Sequence, residues 1–181
     1  TAAGLFYFPH YGNYPVYDAK QNTRTVADLQ LVAWMLSQFS TIEEIKAAMQ
    51  DIRVVPVDTT GASSTVHWRI GDANGRQVVL EFVDGVPCFY ENEISVLTNS
   101  PGFPWQMTNL NNYVNLYPGG AEAHQLGGVT IFPFGAGSGF QGIPGDVTPP
   151  SRFVRAAFYK ATAPQCATAY DAVLQSFHIL N

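Results

Sequence analysis

The chain has 181 residues, a net charge of −5 and a hydrophobic fraction of 46%, which suit one globular domain with a buried core. Its nine lysine and arginine residues are scattered along the sequence, so we predict no partner that needs a basic face, neither nucleic acid nor an anionic membrane. The sequence contains no apolar run of about 18 residues, the length typical of a membrane-spanning helix.

The cysteine and histidine residues indicate no disulfide scaffold and no metal site. Cys88 and Cys166 are too few for a disulfide framework. The four histidines have none of the spacings typical of metal ligands. We therefore expect both cysteines to be structural or free thiols, and we predict no metal and no other cofactor.

The first half of the chain combines extended and helical patterns. We predict a buried strand at residues 2–8 and a loop at residues 10–23. Apolar residues at helical spacing predict a first helix with Thr25 as its N-cap, and Thr41 with Glu44 predicts a capping box that opens a second helix. Alternating patterns predict further strands at 51–57, 65–70, 77–83, 86–90 and 94–98, with a hairpin turn at 72–75.

The second half is predicted to be mainly helical around one long loop. A short helix is expected from Trp105 to about Tyr113, followed by a Gly- and Pro-rich stretch at 117–149 with little regular structure, and by helices at 150–161 and 167–179. Helix pairs beside antiparallel strands predict an α+β fold with α/β/β/α layers. Both chain ends are apolar, so we interpret the chain as a piece of a longer polypeptide.

Three segments carry a family resemblance. Residues 96–113 read VLTNSPGFPWQMTNLNNY, and residues 135–146 with 151–157 read GAGSGFQGIPGD and SRFVRAA. Residues 4–14 read GLFYFPHYGNY, in which a predicted strand leads into Tyr7 before Phe-Pro. These motifs, in this order, resemble the choloylglycine hydrolase family, which contains bile salt hydrolases and penicillin V acylases. His67 and Trp68 lie where this family often has a similar pair opening a strand.

The resemblance implies the αββα sandwich of N-terminal-nucleophile hydrolases, with residues 1–181 as the central part of one incomplete domain. It also implies a nucleophilic cysteine at the mature N-terminus, whose free α-amino group titrates near neutrality and shuttles the proton. No counterpart of that cysteine precedes Thr1, so we expect the nucleophile to lie outside this chain. Thr1 is an alternative nucleophile, although the resemblance places it well after the cysteine.

The resemblance assigns roles to three residues, each with an ordinary alternative. Asn99 would donate its side-chain amide to the oxyanion, or else cap a turn. Tyr7 would supply a second donor through its backbone N–H, or else fill the core. Arg152 would lie close to the nucleophile, or else pair with Asp146. The central expectation is that Asn99 and Arg152 converge where the thiolate meets the carbonyl.

Substrate contacts are harder to predict. Trp105 and the loop at residues 58–64 are candidates for an apolar substrate groove, and core packing is an equal alternative for Trp105. A tyrosine at position 7 slightly favours penicillin V over bile salts.

The resulting hypothesis is a hydrolase of linear amide C–N bonds in conjugated bile salts or penicillin V-like acyl amides. Its expected partners are a small-molecule substrate, the remainder of its own polypeptide and further copies of itself, by resemblance in a tetramer of the bacterial cytoplasm or periplasm. The alternative is a catalytically inactive fragment or acyl-amide-binding scaffold. Mass spectrometry of the intact protein distinguishes the two, because only the enzyme requires a segment with an N-terminal cysteine.

Overall fold

The computed structural model describes residues 2–7, 12–15, 24–57 and 65–180, and the chain forms two compact units, Thr1–Gln106 and Met107–Asn181. Structural statements below concern these described residues. The first unit contains β1 (Ala2–Tyr7), β2 (Arg24–Ala27), α1 (Leu31–Gln38), α2 (Ile42–Ala48), β3 (Ile52–Val55), β4 (Val66–Gly71), β5 (Gln77–Val83), β6 (Val86–Glu91) and the start of α3 (Phe103–Asn109).

An antiparallel sheet of four strands forms the centre of the first unit, in the order β1-β4-β5-β6. Successive side chains on a strand point to opposite faces. One face of β4 and β5 packs in a hydrophobic core with residues of α1 and α2; its sheet members are Val66, Trp68, Ile70, Val78, Leu80 and Phe82, and its helical members are Leu31, Met35, Ile42 and Ile45. Each such side chain contributes about 1.5–3 kcal/mol when fully buried. This face therefore holds the first unit together.

The opposite face of the same strands carries two buried polar side chains. His67 on β4 is fully buried, and Glu81 on β5 is 1% exposed. A charged residue is almost never fully buried without a partner, so this face requires a specific hydrogen-bonding arrangement, described below.

The predicted helix start at Thr25 is wrong. Residues 24–27 form β2, which pairs in parallel with β3, and Val26 lies opposite Val54. Helical structure begins only at Asp28, whose buried carboxylate accepts hydrogen bonds from the backbone N–H of Leu29 at 2.7 Å and of Val57 at 3.1 Å. Pairing of β-branched residues across two strands outweighs a weak local helical preference.

The predicted strand at 94–98 is also wrong. The side chain of Asn92, 1% exposed, donates to the carbonyl of Val96 at 3.1 Å and accepts from its N–H at 3.3 Å. Ser95 has a φ of 56°, in the left-handed region that a strand does not use. A side-chain bridge thus closes this segment into a loop.

The remaining strands and helices of the first unit follow their predictions, whereas the loop predicted at residues 10–23 lies outside the described residues except for 12–15. The capping box of α2 is present, with the Thr41 hydroxyl accepting from the N–H of Glu44. The hairpin turn at 72–75 has Gly75 at a φ of 81°. The helix near Trp105 is confirmed as α3 with a short 3₁₀ continuation, Leu110–Tyr113.

The second unit contains β7 (His124–Leu126), β8 (Val129–Ile131), α4 (Pro149–Thr162) and α5 (Ala169–Leu180). Both closing helices are confirmed, whereas the β7–β8 hairpin interrupts a stretch for which little regular structure was predicted. Gly139 is needed where this loop folds back, because a Cβ there would lie 2.4 Å from the Tyr117 carbonyl oxygen. In the described ranges, no helix has both the length and the apolar character needed to cross a membrane.

Candidate active site

The turn that contains Asn99 follows the loop closed by Asn92 and leads into α3. Asn99 is partly buried there, and the Ser100–Pro101 peptide bond is cis. The fully buried side chain of Gln106 donates to the carbonyls of Asn99 and Pro101, each at 3.5 Å. Gln106 thus makes two long contacts to the backbone carbonyls of this turn.

His67 and Glu81 contact the same turn from the sheet. His67 Nε2 lies 2.7 Å from the carbonyl oxygen of Thr98, and His67 Nδ1 lies 2.8 Å from Glu81 Oε1. The same Glu81 oxygen accepts the backbone N–H of Phe103 at 2.8 Å. Two strands are thereby joined to both ends of the segment that carries Asn99.

Tyr7 ends β1, an edge strand of the described sheet, opposite Val66 of β4. The N–H of Val66 donates to the Tyr14 hydroxyl at 3.4 Å, and that hydroxyl donates to Asp28 at 3.2 Å. Opposed residues of an antiparallel ladder either exchange both of their hydrogen bonds or neither. The contact from Val66 to Tyr14 is the arrangement of a non-hydrogen-bonded pair, in which the Tyr7 N–H faces away from β4.

Arg152 lies in the first turn of α4. Its Nε donates to the carbonyl of Val147 at 3.0 Å, which orients the guanidinium beside the preceding loop. Arg155, one turn later, donates to the carbonyls of Pro144 and Asp146 at 2.9 and 2.6 Å. Both arginines thus fasten the loop before α4 to the helix.

The Asp146 carboxylate anchors this loop and yields a pH prediction. It accepts from the hydroxyls of Ser151 at 2.6 Å and Thr148 at 2.5 Å and from the Thr148 N–H at 2.9 Å, which lowers its pKa to about 2. A lowered folded-state pKa stabilises the protein above the unfolded value of about 3.9, and this contribution is lost as the pH falls through about 2. In ¹³C NMR titrations we expect a midpoint near 2 for Asp146 and a higher one in Ser151→Ala.

The control for this prediction is Ser176→Ala on α5, whose hydroxyl donates to the carbonyl of Ala172. It should leave the Asp146 midpoint unchanged. An Asp146 midpoint that is the same in wild type and Ser151→Ala would contradict the assigned cause.

The remaining sequence candidates are Trp105, the loop at residues 58–64, Thr1 and the two cysteines. Trp105 on α3 is 49% exposed, so its ring is not part of the core of the described chain. The loop at residues 58–64 and Thr1 lie outside the described residues. Cys88 and Cys166 are free thiols; Cys88 is partly buried and Cys166 is exposed. Residues 2–7, 12–15, 24–57 and 65–180 contain no group of three His, Cys, Asp or Glu side chains that could hold a metal ion.

The predicted site residues divide between the two units, since Tyr7 and Asn99 belong to the first and Arg152 to the second. The residues that sequence reasoning missed are Glu81 and Asn92. The sequence did contain one signal for Glu81, which is the only charged residue of the mainly apolar strand β5. His67 was noted only as part of a motif, without its hydrogen-bonding role.

Solved structures define the class of fold. A crystal structure of a variant of conjugated bile acid hydrolase from Clostridium perfringens superposes on 99% of this chain and 55% of its own, with a TM-score of 0.82 and 32% identity. Penicillin V acylase from Agrobacterium tumefaciens, 22% identical, shares the fold over 98% of this chain with a TM-score of 0.74. The predicted α+β fold of the N-terminal-nucleophile type is confirmed.

A family model narrows the class. The model of the linear amide C–N hydrolases, choloylglycine hydrolase family, matches residues 1–181, and the chain belongs to this family. A bile salt hydrolase/transferase of Clostridium perfringens (strain 13 / Type A) is 35% identical over 176 residues, which cover 96% of this chain and 53% of that protein. The chain thus spans about half the length of the curated relatives it matches.

Proposed function

We propose that the full-length protein hydrolyses the linear amide bond of conjugated bile acids, with an N-terminal cysteine outside residues 1–181 as the nucleophile. The observation that carries this proposal is the Asn99 turn, in which the carbonyl of the preceding residue, Thr98, lies 2.7 Å from Nε2 of the buried His67. A donor that stabilises an oxyanion must be in place before charge develops, because its reorganisation would otherwise add to the barrier. A turn clamped in this way is suited to hold such a donor.

In the proposed reaction the cysteine thiolate attacks the amide carbonyl, and the oxygen becomes an oxyanion. Asn99 Nδ2 and the Tyr7 N–H donate to that oxyanion. The α-amino group of the cysteine takes the thiol proton and delivers it to the leaving amine as the C–N bond breaks. Water then hydrolyses the thioester and regenerates the enzyme. The outward direction of the Tyr7 N–H at the edge of β1 supports its part in this scheme.

Arg152 is proposed to lie beside the thiolate and the developing charge. Its Nε is occupied by the Val147 carbonyl, so the guanidinium plane is oriented before substrate binds. Hydrogen bonds from a guanidinium to an anion are charge-assisted and stronger than neutral ones. Such a group favours the ionised form of the cysteine.

Bile acids are proposed as the substrate class because the bile salt relative is 35% identical, whereas a penicillin V acylase of Pectobacterium atrosepticum is 27% identical. The identity of residue 7 does not distinguish bile salts from penicillin V, because a backbone donor tolerates any side chain.

The exposed ring of Trp105 is proposed to contact the apolar part of the substrate. We also propose a homo-oligomer, which the exposed apolar side chains of β7 and β8, Leu126 and Val129, would suit.

The test is an amide-release assay of the full-length protein with glycocholate, taurocholate and penicillin V. We expect release of glycine or taurine from the bile salts, with kcat/KM at least about 10-fold above that for penicillin V, which is the range in which a pocket distinguishes apolar groups. A protein that releases no amine from any of the three would contradict the proposal.

A further inference from the structure

We infer that His67 and Glu81 form a positioning pair that sets the place of the oxyanion turn. This inference rests on the proposed function, and it assigns the two residues no contact with substrate. Both lie on the sheet face opposite the hydrophobic core, and both are buried, at 0% and 1% exposure.

His67 adjoins both segments that are proposed to stabilise the oxyanion. Its Nε2 contacts the carbonyl of Thr98, the residue before Asn99. On the neighbouring strand it lies opposite Phe6, the residue before Tyr7, and the two rings meet edge to face with centroids 6.2 Å apart. The His67 side chain therefore contacts the residue before each proposed donor, which is Thr98 before Asn99 and Phe6 before Tyr7.

The hydrogen bonds fix one proton of this pair. A carbonyl oxygen only accepts, so His67 Nε2 must carry a hydrogen directed at Thr98. His67 Nδ1 and Glu81 Oε1 share one further hydrogen, and the same Glu81 oxygen accepts the N–H of Phe103. Replacing either partner leaves an unpaired buried group.

Among the contacts described for this turn, the one from His67 is the shortest. The bond from His67 to Thr98 is 2.7 Å, at the short end for N–H···O, whereas both bonds from Gln106 are 3.5 Å, beyond the usual range. Loss of the His67 contact should therefore let the turn shift. A displacement of about 1 Å in a catalytic group can cost about 100-fold in rate.

A buried polar pair of this kind is weak evidence for stability, because the cost of removing both groups from water offsets their attraction. We therefore expect the pair of His67 and Glu81 to affect the position of the turn that carries Asn99 more than the stability of the fold. In the full-length protein, His67→Asn loses the donor at the Nε2 position, and we expect kcat to fall about 10- to 100-fold with KM changed less than about 3-fold. His67→Gln places an amide N–H near the Nε2 position and should retain about 10-fold more of kcat than His67→Asn.

Two further variants separate positioning from simple support of the fold. In the double variant His67→Asn/Asn99→Ala, most of the loss caused by His67→Asn should disappear, because the turn no longer carries the donor that it positions. Glu81→Gln keeps an acceptor for the Phe103 N–H but cannot share a proton with His67 Nδ1 as a carboxyl group does, so it should lower kcat as well. It also provides the test if His67→Asn fails to fold.

Each outcome has one reading. Wild-type kcat in His67→Asn would overturn the positioning role. A double variant in which the losses of His67→Asn and Asn99→Ala simply multiply would also overturn it. In either case a large effect of Asn99→Ala still upholds the proposed function. Equal losses in His67→Asn and His67→Gln that track a fall in Tm would also overturn it. Absence of amide release by the wild type counts against the proposed function itself.

Discussion

Asn99→Ala in the full-length protein is expected to lower kcat about 100-fold or more, the usual effect of removing one oxyanion donor. The fold should remain intact, because the contacts described for this turn are made to the carbonyls of Thr98 and Asn99, which alanine retains. KM should change little, since the lost hydrogen bond strengthens mainly in the transition state. Steady-state kinetics with glycocholate, together with circular dichroism, measures both effects.

The matched control is Asn74→Ala, in the exposed turn between β4 and β5. The contact described for Asn74 is made by its backbone N–H, which donates to Asp72 at 2.9 Å and which alanine keeps. It should retain wild-type kcat. An Asn99→Ala variant that is folded and within about 3-fold of wild-type kcat would be incompatible with Asn99 as a donor.

Arg152→Lys should lower kcat/KM by about 10- to 100-fold, which corresponds to a charged hydrogen bond worth roughly 1.5–3 kcal/mol. Lysine keeps the positive charge but lacks the planar group whose Nε is held by the Val147 carbonyl. The ammonium would therefore not be directed to one place. The rate of inactivation by a thiol reagent should fall in parallel, because the cysteine loses stabilisation of its thiolate.

Arg155→Lys makes the same exchange one turn along α4. Arg155 bonds to the carbonyls of Pro144 and Asp146, so its loss should loosen the loop and lower Tm while kcat/KM stays within about 3-fold of wild type. Equal loss of activity in both variants would show that Arg152 acts through the loop rather than beside the nucleophile.

Most elements of the fold could be predicted where the local pattern and the tertiary environment agree. The mainly apolar run of β5 and the capping box at Thr41 are of this kind. The exceptions arise where a specific contact decides. β2 forms because Val26 pairs with Val54 on the distant strand β3, and residues 94–98 form a loop because the side chain of Asn92 bridges to Val96, four residues later. The hydrophobic pattern of each segment does not reveal these contacts.

The candidate site residues also fall into two groups, those that a sequence motif indicates and those that only the folded arrangement reveals. The resemblance pointed to Asn99 and Arg152 because their motifs are contiguous in sequence. The pair of His67 and Glu81 could not be inferred, because its meaning depends on two adjacent strands and a turn 31 residues beyond His67. The one sequence signal for this pair was Glu81, the only charged residue of β5.

The most direct measurement is a crystal structure of the full-length protein, with its nucleophilic cysteine replaced by alanine, in complex with glycocholate. The account predicts that Asn99 Nδ2 and the Tyr7 N–H both lie about 2.7–3.1 Å from the position that the oxyanion would occupy, with the Arg152 guanidinium beside the vacated thiol position. Asn99 and Arg152 directed into separate regions, with no atom of the scissile amide within reach of both, would contradict it.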